Sequence, residues 1–200
     1  MSKLKVDQIS KATGAAPAIF TLPAADGTAG QLMKTDGSGN LGFVSSAVGG
    51  KILQVVQTVV TASTASTTSA SFVDTTGMTL SITPSAVTSK ILVSCVLQIG
   101  VQTGWHAQYQ LMRDSTAICI GDASGSRQRT TGDVAYNLSV LNVGVAQFLD
   151  SPNTTSATTY KVQWLSENTG TIYLNRSYTN TDAVAFPVGA STITAMEVGA

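Results

Sequence analysis

Residues 90–101 read KILVSCVLQIGV, and this stretch decides the fold. Ile91, Val93, Cys95, Leu97, Ile99 and Val101 are all apolar, while the intervening positions include Ser94, Gln98 and Gly100. Successive side chains of a strand point to opposite faces, so this period of two predicts a long strand with one face in a core and the other partly covered.

The same signal repeats outward from that stretch. Downstream, Trp105, Ala107, Tyr109 and Leu111 alternate with His106, Gln108 and Gln110, and Arg113-Asp114-Ser115 turns the chain into Thr116 to Ile120. A hairpin with one buried face is predicted there. Val134 to Phe148 reads as one long strand bent at Gly144. Thr159 to Leu165 alternates Tyr160, Val162 and Trp164 against Lys161 and Gln163, and Asn168-Thr169-Gly170 turns it into Thr171 to Leu174. Ser191 to Val198 (STITAMEV) is a last strand. Upstream, residues 51–60 (KILQVVQTVV) are rich in β-branched types, and the Thr/Ser/Ala run from Thr61 to Ser71 is a loop or ragged edge. Phe72-Val73 and Met78 to Thr83 read as a strand pair turned at Thr76-Gly77 and stopped by Pro84.

No segment carries a 3.6-residue period with helix caps, so little helix is expected. About eight to ten strands with turns every 8 to 12 residues predict an all-β domain, a β-sandwich of jelly-roll type, over residues 49–200. The uneven loops, Gly121 to Gly132 and Asn175 to Ala190 among them, favour the jelly roll. Their order in the sheets is not readable from the pattern.

Composition shifts near Gly49-Gly50. Residues 1–48 hold short apolar pieces separated by Gly, Asp and Pro, too short to close a core of their own. Gln31 to Val44 reads as a small hairpin around the Gly-rich turn Asp36-Gly37-Ser38-Gly39-Asn40. Pro17 and Pro23 bracket an extended piece, because the residue before a proline avoids the helical region. Such a segment needs a neighbouring surface, and Leu4, Val6, Ile9, Phe20, Leu22, Leu32 and Phe43 are its candidate attachment residues.

Charged residues form 11% of the 200-residue chain, against roughly 25% in ordinary soluble domains. The surface is therefore hydroxyl-rich and poorly defended by charge repulsion, and much of it is expected to be covered by further copies or neighbours. Eleven basic and eleven acidic side chains balance, which gives no electrostatic reason to expect nucleic acid or an anionic membrane as partner. Lys3 and Lys5 are followed by Val6, Asp7 and Gln8, so no signal peptide is expected. No apolar run reaches the roughly 20 residues of a membrane helix.

Chemistry-bearing residues are sparse. His106 is the single histidine and reads as a surface or interface side chain. Asp26, Asp36, Asp114, Asp122 and Asp150 sit in turn contexts, and Glu167 and Glu197 are the two glutamates. Cys95 and Cys119 sit in strand-like segments without metal or redox spacing and read as buried free thiols. No nucleophile, phosphate-loop, zinc or EF-hand pattern occurs, so neither an enzyme nor a cofactor or metal is expected. The sequons at Asn137, Asn153 and Asn175 carry no weight in a Ser/Thr-rich chain. Arg127 and Arg129 in the Gly121 to Gly132 loop, with Arg176 and Tyr178 in the later one, are the candidate ligand-contact residues, since guanidinium forks and aromatic faces suit polar or sugar surfaces.

Several local patterns add a resemblance. The opening MSKLKV, Phe20-Thr21-Leu22-Pro23, Ala25-Asp26-Gly27-Thr28-Ala29-Gly30-Gln31-Leu32 and Thr35-Asp36-Gly37-Ser38-Gly39 resemble the N-terminal segments of tail-fibre-like proteins of marine phages, including cyanophages. Ile82-Thr83-Pro84-Ser85, Ser89-Lys90-Ile91-Leu92-Val93, Arg113-Asp114-Ser115-Thr116, Gly121-Asp122-Ala123, Phe148-Leu149-Asp150-Ser151-Pro152, Asn175-Arg176-Ser177 and the closing STITAMEVG are similar to the terminal domain of such proteins. The resemblance implies a virion structural protein assembled in the host cytoplasm. It further implies a homotrimer that attaches to other virion proteins through residues 1–48 and presents the β domain outward. Two expectations follow. One is a short tail-fibre or receptor-binding appendage that contacts a host cell-surface glycan or protein; the other is a capsid decoration or cement protein.

Overall fold

The computed structural model describes residues 6–10, 19–45, 51–135 and 140–199. The chain divides into two compact units, Met1–Val48 and Gly49–Ala200.

The first unit contains two small antiparallel pairs. β1 (Gln8–Ser10) pairs with β2 (Ile19–Thr21), and β3 (Gln31–Thr35) pairs with β4 (Leu41–Ser45). The β3–β4 turn forms as its residues dictate. Gly37 and Gly39 take φ of +83° and +93°, and Asp36 accepts from the backbone N–H groups of Ser38 and Asn40 at 2.8 and 3.0 Å. A bond from the Asn40 side chain, and after it these two backbone bonds, hold the Asp36 carboxyl below the usual carboxylate range. An isolated bridge joins Thr21 to Asn40, so the two pairs meet.

The second unit is built from β5 (Ile52–Val60), β6 (Ser66–Thr67), β7 (Val73–Ile82), β8 (Lys90–Val101), β9 (His106–Arg113), β10 (Thr116–Ile118), β11 (Gly132–Ala135), β12 (Leu141–Asp150), β13 (Thr158–Ser166), β14 (Ile172–Leu174) and β15 (Ser191–Val198). One sheet runs β5-β15-β8, with β12 on the far edge of β8 and the short β14-β6 pair beside its C-terminal end. The other runs β7-β13-β9, with β10 and β11 sharing the far edge of β9. Every pairing is antiparallel. Taking the eight principal strands β5, β7, β8, β9, β11, β12, β13 and β15 in chain order, the sheets read first-eighth-third-sixth and second-seventh-fourth-fifth. This interleaving of two Greek keys is the jelly roll.

The core lies between the two sheets. Ile91, Val93, Cys95, Leu97, Ile99 and Val101 all point into it, as the period-two reading of residues 90–101 requires. They meet Met78, Leu80 and Ile82 of β7, Tyr160, Val162 and Trp164 of β13, and Ile193 and Ala195 of β15. Fully burying one such side chain is worth roughly 1.5–3 kcal/mol, so a one-residue slip of β8 would forfeit several of these at once.

Three local readings are corrected. Phe72 to Thr83 is not a hairpin: β7 runs through Gly77, whose φ of +79° forms a bulge, and the pairing with β13 jumps from Thr79↔Lys161 to Asp74↔Gln163. A positive-φ glycine is shared by turns and bulges, so composition alone does not separate them. Val134 to Phe148 is not one strand: β11 belongs to one sheet and β12 to the other. Gly144 lies inside β12 because a Cβ there would stand 2.9 Å from the Tyr109 ring. Cys119 lies outside any strand, at φ +55° after β10, and is half-buried. Cys95 is buried as expected, and burial pushes its thiol up to about 11.

Candidate functional site

The residues singled out by sequence fall on three surfaces. The first is the loop between β10 and β11, a lateral excursion from the edge of β9. Residues 121–129 are exposed throughout, and Arg127 and Arg129 sit there. Arg129 donates through Nε to the Gly121 carbonyl at 2.6 Å, which ties the base of the loop together.

The second surface lies at the end of the β5-β15-β8-β12 sheet. Tyr173 of β14 pairs with Gly100 of β8 and points away from the core, since its neighbours Ile172 and Leu174 are buried. The Arg176 guanidinium lies 3.5 Å from the centre of the Tyr173 ring, and the Tyr178 ring stands 6.0 Å from it. The structure therefore brings Arg176 and Tyr178 together, and adds Tyr173, which the sequence reading missed. The available signal was parity: Tyr173 is the outward residue between two apolar ones.

Asn175 holds this corner. Fully buried and at φ +63°, it donates through Nδ2 to the carbonyls of Val60 (2.7 Å) and Ala62 (3.0 Å), and its Oδ1 accepts from Ser191 Oγ (2.6 Å). Arg176 bridges to Val188, and residues 176–178 cross directly over Gly100, where any Cβ would strike their backbone. An open groove of about 470 Å³ follows in the same loop, lined by Asn180, Asp182, Phe186 and Pro187 among others. Cation–π stacking and two aromatic faces suit a polar, planar or sugar-like ligand.

The third surface is the first unit. Val6, Ile9, Phe20 and Leu32 are exposed, with Leu32 at 58%, while Leu22 and Phe43 are half-buried. Leu4 lies outside the described residues. Ile19, Met33 and Val44 are also exposed apolar residues and were not singled out by sequence. They lie on β2, β3 and β4, the strands that carry Phe20, Leu32 and Phe43, so the strand registers reveal them where single-residue inspection does not.

The titratable groups inside the sandwich are engaged in hydrogen bonds. Asp150 accepts from Arg113 Nη1 (2.8 and 3.0 Å) and from the Tyr160 hydroxyl (2.6 Å). Burial, then this bond, pushes the Tyr160 hydroxyl well above its ordinary range. Glu197, 1% exposed, accepts from the Ser85 N–H and hydroxyl (2.7 and 2.6 Å) and from Gln54 Nε2 (2.6 Å). Burial opposes its ionisation, but these donors outweigh it and hold its pKa down at about 2. Asp150 and Glu197 flank Ile91 on the two adjoining strands, with their donors around them. His106 pairs through Nδ1 with Asp133 Oδ2 at 2.9 Å across β9 and β11, both side chains nearly half exposed, and the bond raises the imidazole pKa. Among the described residues no group of three or more His, Cys, Asp or Glu side chains is placed to hold a metal ion, and no helix is long and apolar enough to cross a membrane.

No family model matches this chain, and no curated protein does. Among solved structures it is similar to infectious bursal disease virus, Gx strain, with a TM-score of 0.40 and 14% identity over 80% of this chain. It is also similar to the VP2 subviral particle of the same virus, with a TM-score of 0.38 and 11% identity over 79% of this chain. The chain spans 39% and 43% of those two chains. The jelly-roll assignment rests on the strand order itself.

Proposed function

We propose that this chain is a non-enzymatic virion structural protein of a bacteriophage, a short homotrimeric tail fibre or receptor-binding appendage. Its first unit attaches to other virion proteins, and its jelly roll presents loops to a host cell-surface glycan or protein. No cofactor takes part, and neither nucleic acid nor membrane insertion is involved.

One observation carries this reading: the first unit exposes apolar side chains on all four of its strands, Ile9, Phe20, Leu32 and Val44 among them. Two hairpins of three to five residues per strand bury little of their own, so such a surface gains most by covering itself with a partner. The Arg176–Tyr173–Tyr178 cluster supplies the outward contact, and several weak contacts on one trimer add into useful avidity.

The test is adsorption. Purified full chain is expected to bind host cells and to slow phage adsorption in competition, and Leu32→Asp with Phe20→Asp is expected to leave cell binding intact while abolishing incorporation into particles. Failure to bind cells or to compete would remove the receptor-binding role. Copy number per particle separates the appendage from a capsid decoration or cement protein: tens of copies support the appendage, whereas hundreds overturn it.

A further inference from the structure

The two outer faces of the sandwich differ sharply in chemistry. The outer face of the β7-β13-β9 sheet carries ion pairs, Lys161–Asp74 and His106–Asp133. The outer face of the β5-β15-β8-β12 sheet carries one charge at its paired outward positions, Lys90, which pairs with Val198 in the end row. Its registers stack Val55, Met196, Leu92 and Leu149 in one row and Val59, Thr192, Val96 and Val145 in another, with Gln57, Thr194, Ser94 and Gln147 between them. Val55, Val59, Val143 and Val145 are 53 to 62% exposed.

From this asymmetry we infer that the outer face of the β5-β15-β8-β12 sheet is the contact between copies of this chain, three faces turned inward about a threefold axis. The inference rests on the trimeric part of the function proposed above.

Size supports it. Four strands at about 4.8 Å and about nine residues at about 3.3 Å cover roughly 19 by 30 Å, on the order of 600 Å² in projection, comparable with the ~800 Å² of accessible surface per partner in a stable interface. Charge supports it too. A face that meets its own copies must tolerate itself, and one whose single charge, Lys90, sits in the end row sets no like-charge pair across its middle. Geometry supports three copies. A triangle with sides of about 19 Å has its sides about 5.5 Å from the centre, close to half the ~10 Å separation at which sheets pack face to face. Side chains from three such faces therefore fill the middle without leaving a channel. Outward-facing Tyr173 and Arg176 then lie at one end of this prism, so three copies of the cluster converge there.

The experiment is sedimentation equilibrium of the full chain at tens of micromolar, comparing wild type with Val55→Glu, Val145→Glu and Thr79→Glu. Thr79 is exposed on the other outer face. Wild type and Thr79→Glu are expected to be trimers, and the two valine variants monomers with a retained cooperative melt. Should a valine variant fail to fold, thiol labelling of Val145→Cys in the native trimer, followed by peptide mass spectrometry, replaces it. Labelling at least tenfold slower than at Thr79→Cys supports the contact, and equal labelling overturns it. Trimers that persist in both valine variants overturn this face while leaving the appendage reading intact. Any wild-type state other than a trimer overturns the contact and the trimer together, while cell adsorption judges the receptor-binding role separately.

Discussion

The Tyr109 hydroxyl donates to the Val145 carbonyl at 2.8 Å, reaching from one sheet to the edge strand of the other. It passes over Gly144 and against Gly132, neither of which leaves space for a Cβ. These two glycines let β11 and β12 adjoin and close that side of the sandwich.

Gly144→Ala is accordingly expected to destabilise the jelly roll by about 1–3 kcal/mol, the usual cost of forcing an extra methyl into a packed site. Tyr109→Phe, which keeps the ring and loses the bond, is expected to cost about 1 kcal/mol. Urea midpoints measure both. A Gly144→Ala variant as stable as wild type would show that the Tyr109 ring is free to move aside.

Removing the Asn175 side chain leaves the Val60 and Ala62 carbonyls without this donor, and places alanine at a φ that asparagine tolerates better. Asn175→Ala is expected to cost roughly 2–3 kcal/mol, the sum of unmade buried hydrogen bonds and backbone strain. A thermal melt shifted by several degrees is the check. The same engagement buries the amide that a glycosyl group would need.

Arg113→Ala strands Asp150, 4% exposed, with the Tyr160 hydroxyl as its remaining side-chain donor. Breaking a buried pair by removing one partner costs roughly 3–5 kcal/mol, and the partly exposed Arg113 places this one near the lower figure. Arg113→Ala with Asp150→Asn is expected to recover part of the loss. No recovery in the double variant would mean that packing of the arginine stem, rather than the orphaned charge, carries the effect.

Glu197 makes the jelly roll acid-sensitive. Its folded pKa of about 2 lies below its ordinary value of 4.5, so its contribution is complete above pH 4.5 and is lost as pH falls towards 2. The melting temperature of wild type is expected to drop across that window, and that of Glu197→Gln to drop less steeply from a lower starting value. Parallel slopes for the two proteins would assign the acid sensitivity elsewhere.

Residues 90–101 and 191–198 show how much the sequence alone determined. Each strand has a buried face, so alternation of apolar and polar side chains is written directly into the chain, and the strands appear as read. The Gly-rich β3–β4 turn was legible for a similar reason: its hydrogen bonds are local, and few residue types accept its dihedrals. Strand order was not legible, because antiparallel pairing is set by backbone groups common to every residue. Gly77 and Gly144 look like turn or bend residues in the chain, and only the packing of β13 and Tyr109 against them shows a bulge and a close approach. The stacking of Arg176 on Tyr173 and the sparsely charged outer face became visible only once registers fixed which side chains share a side. Local patterning thus determined the class of fold and most of its strands, whereas contacts between residues distant in the chain decided the topology and gathered the candidate surfaces.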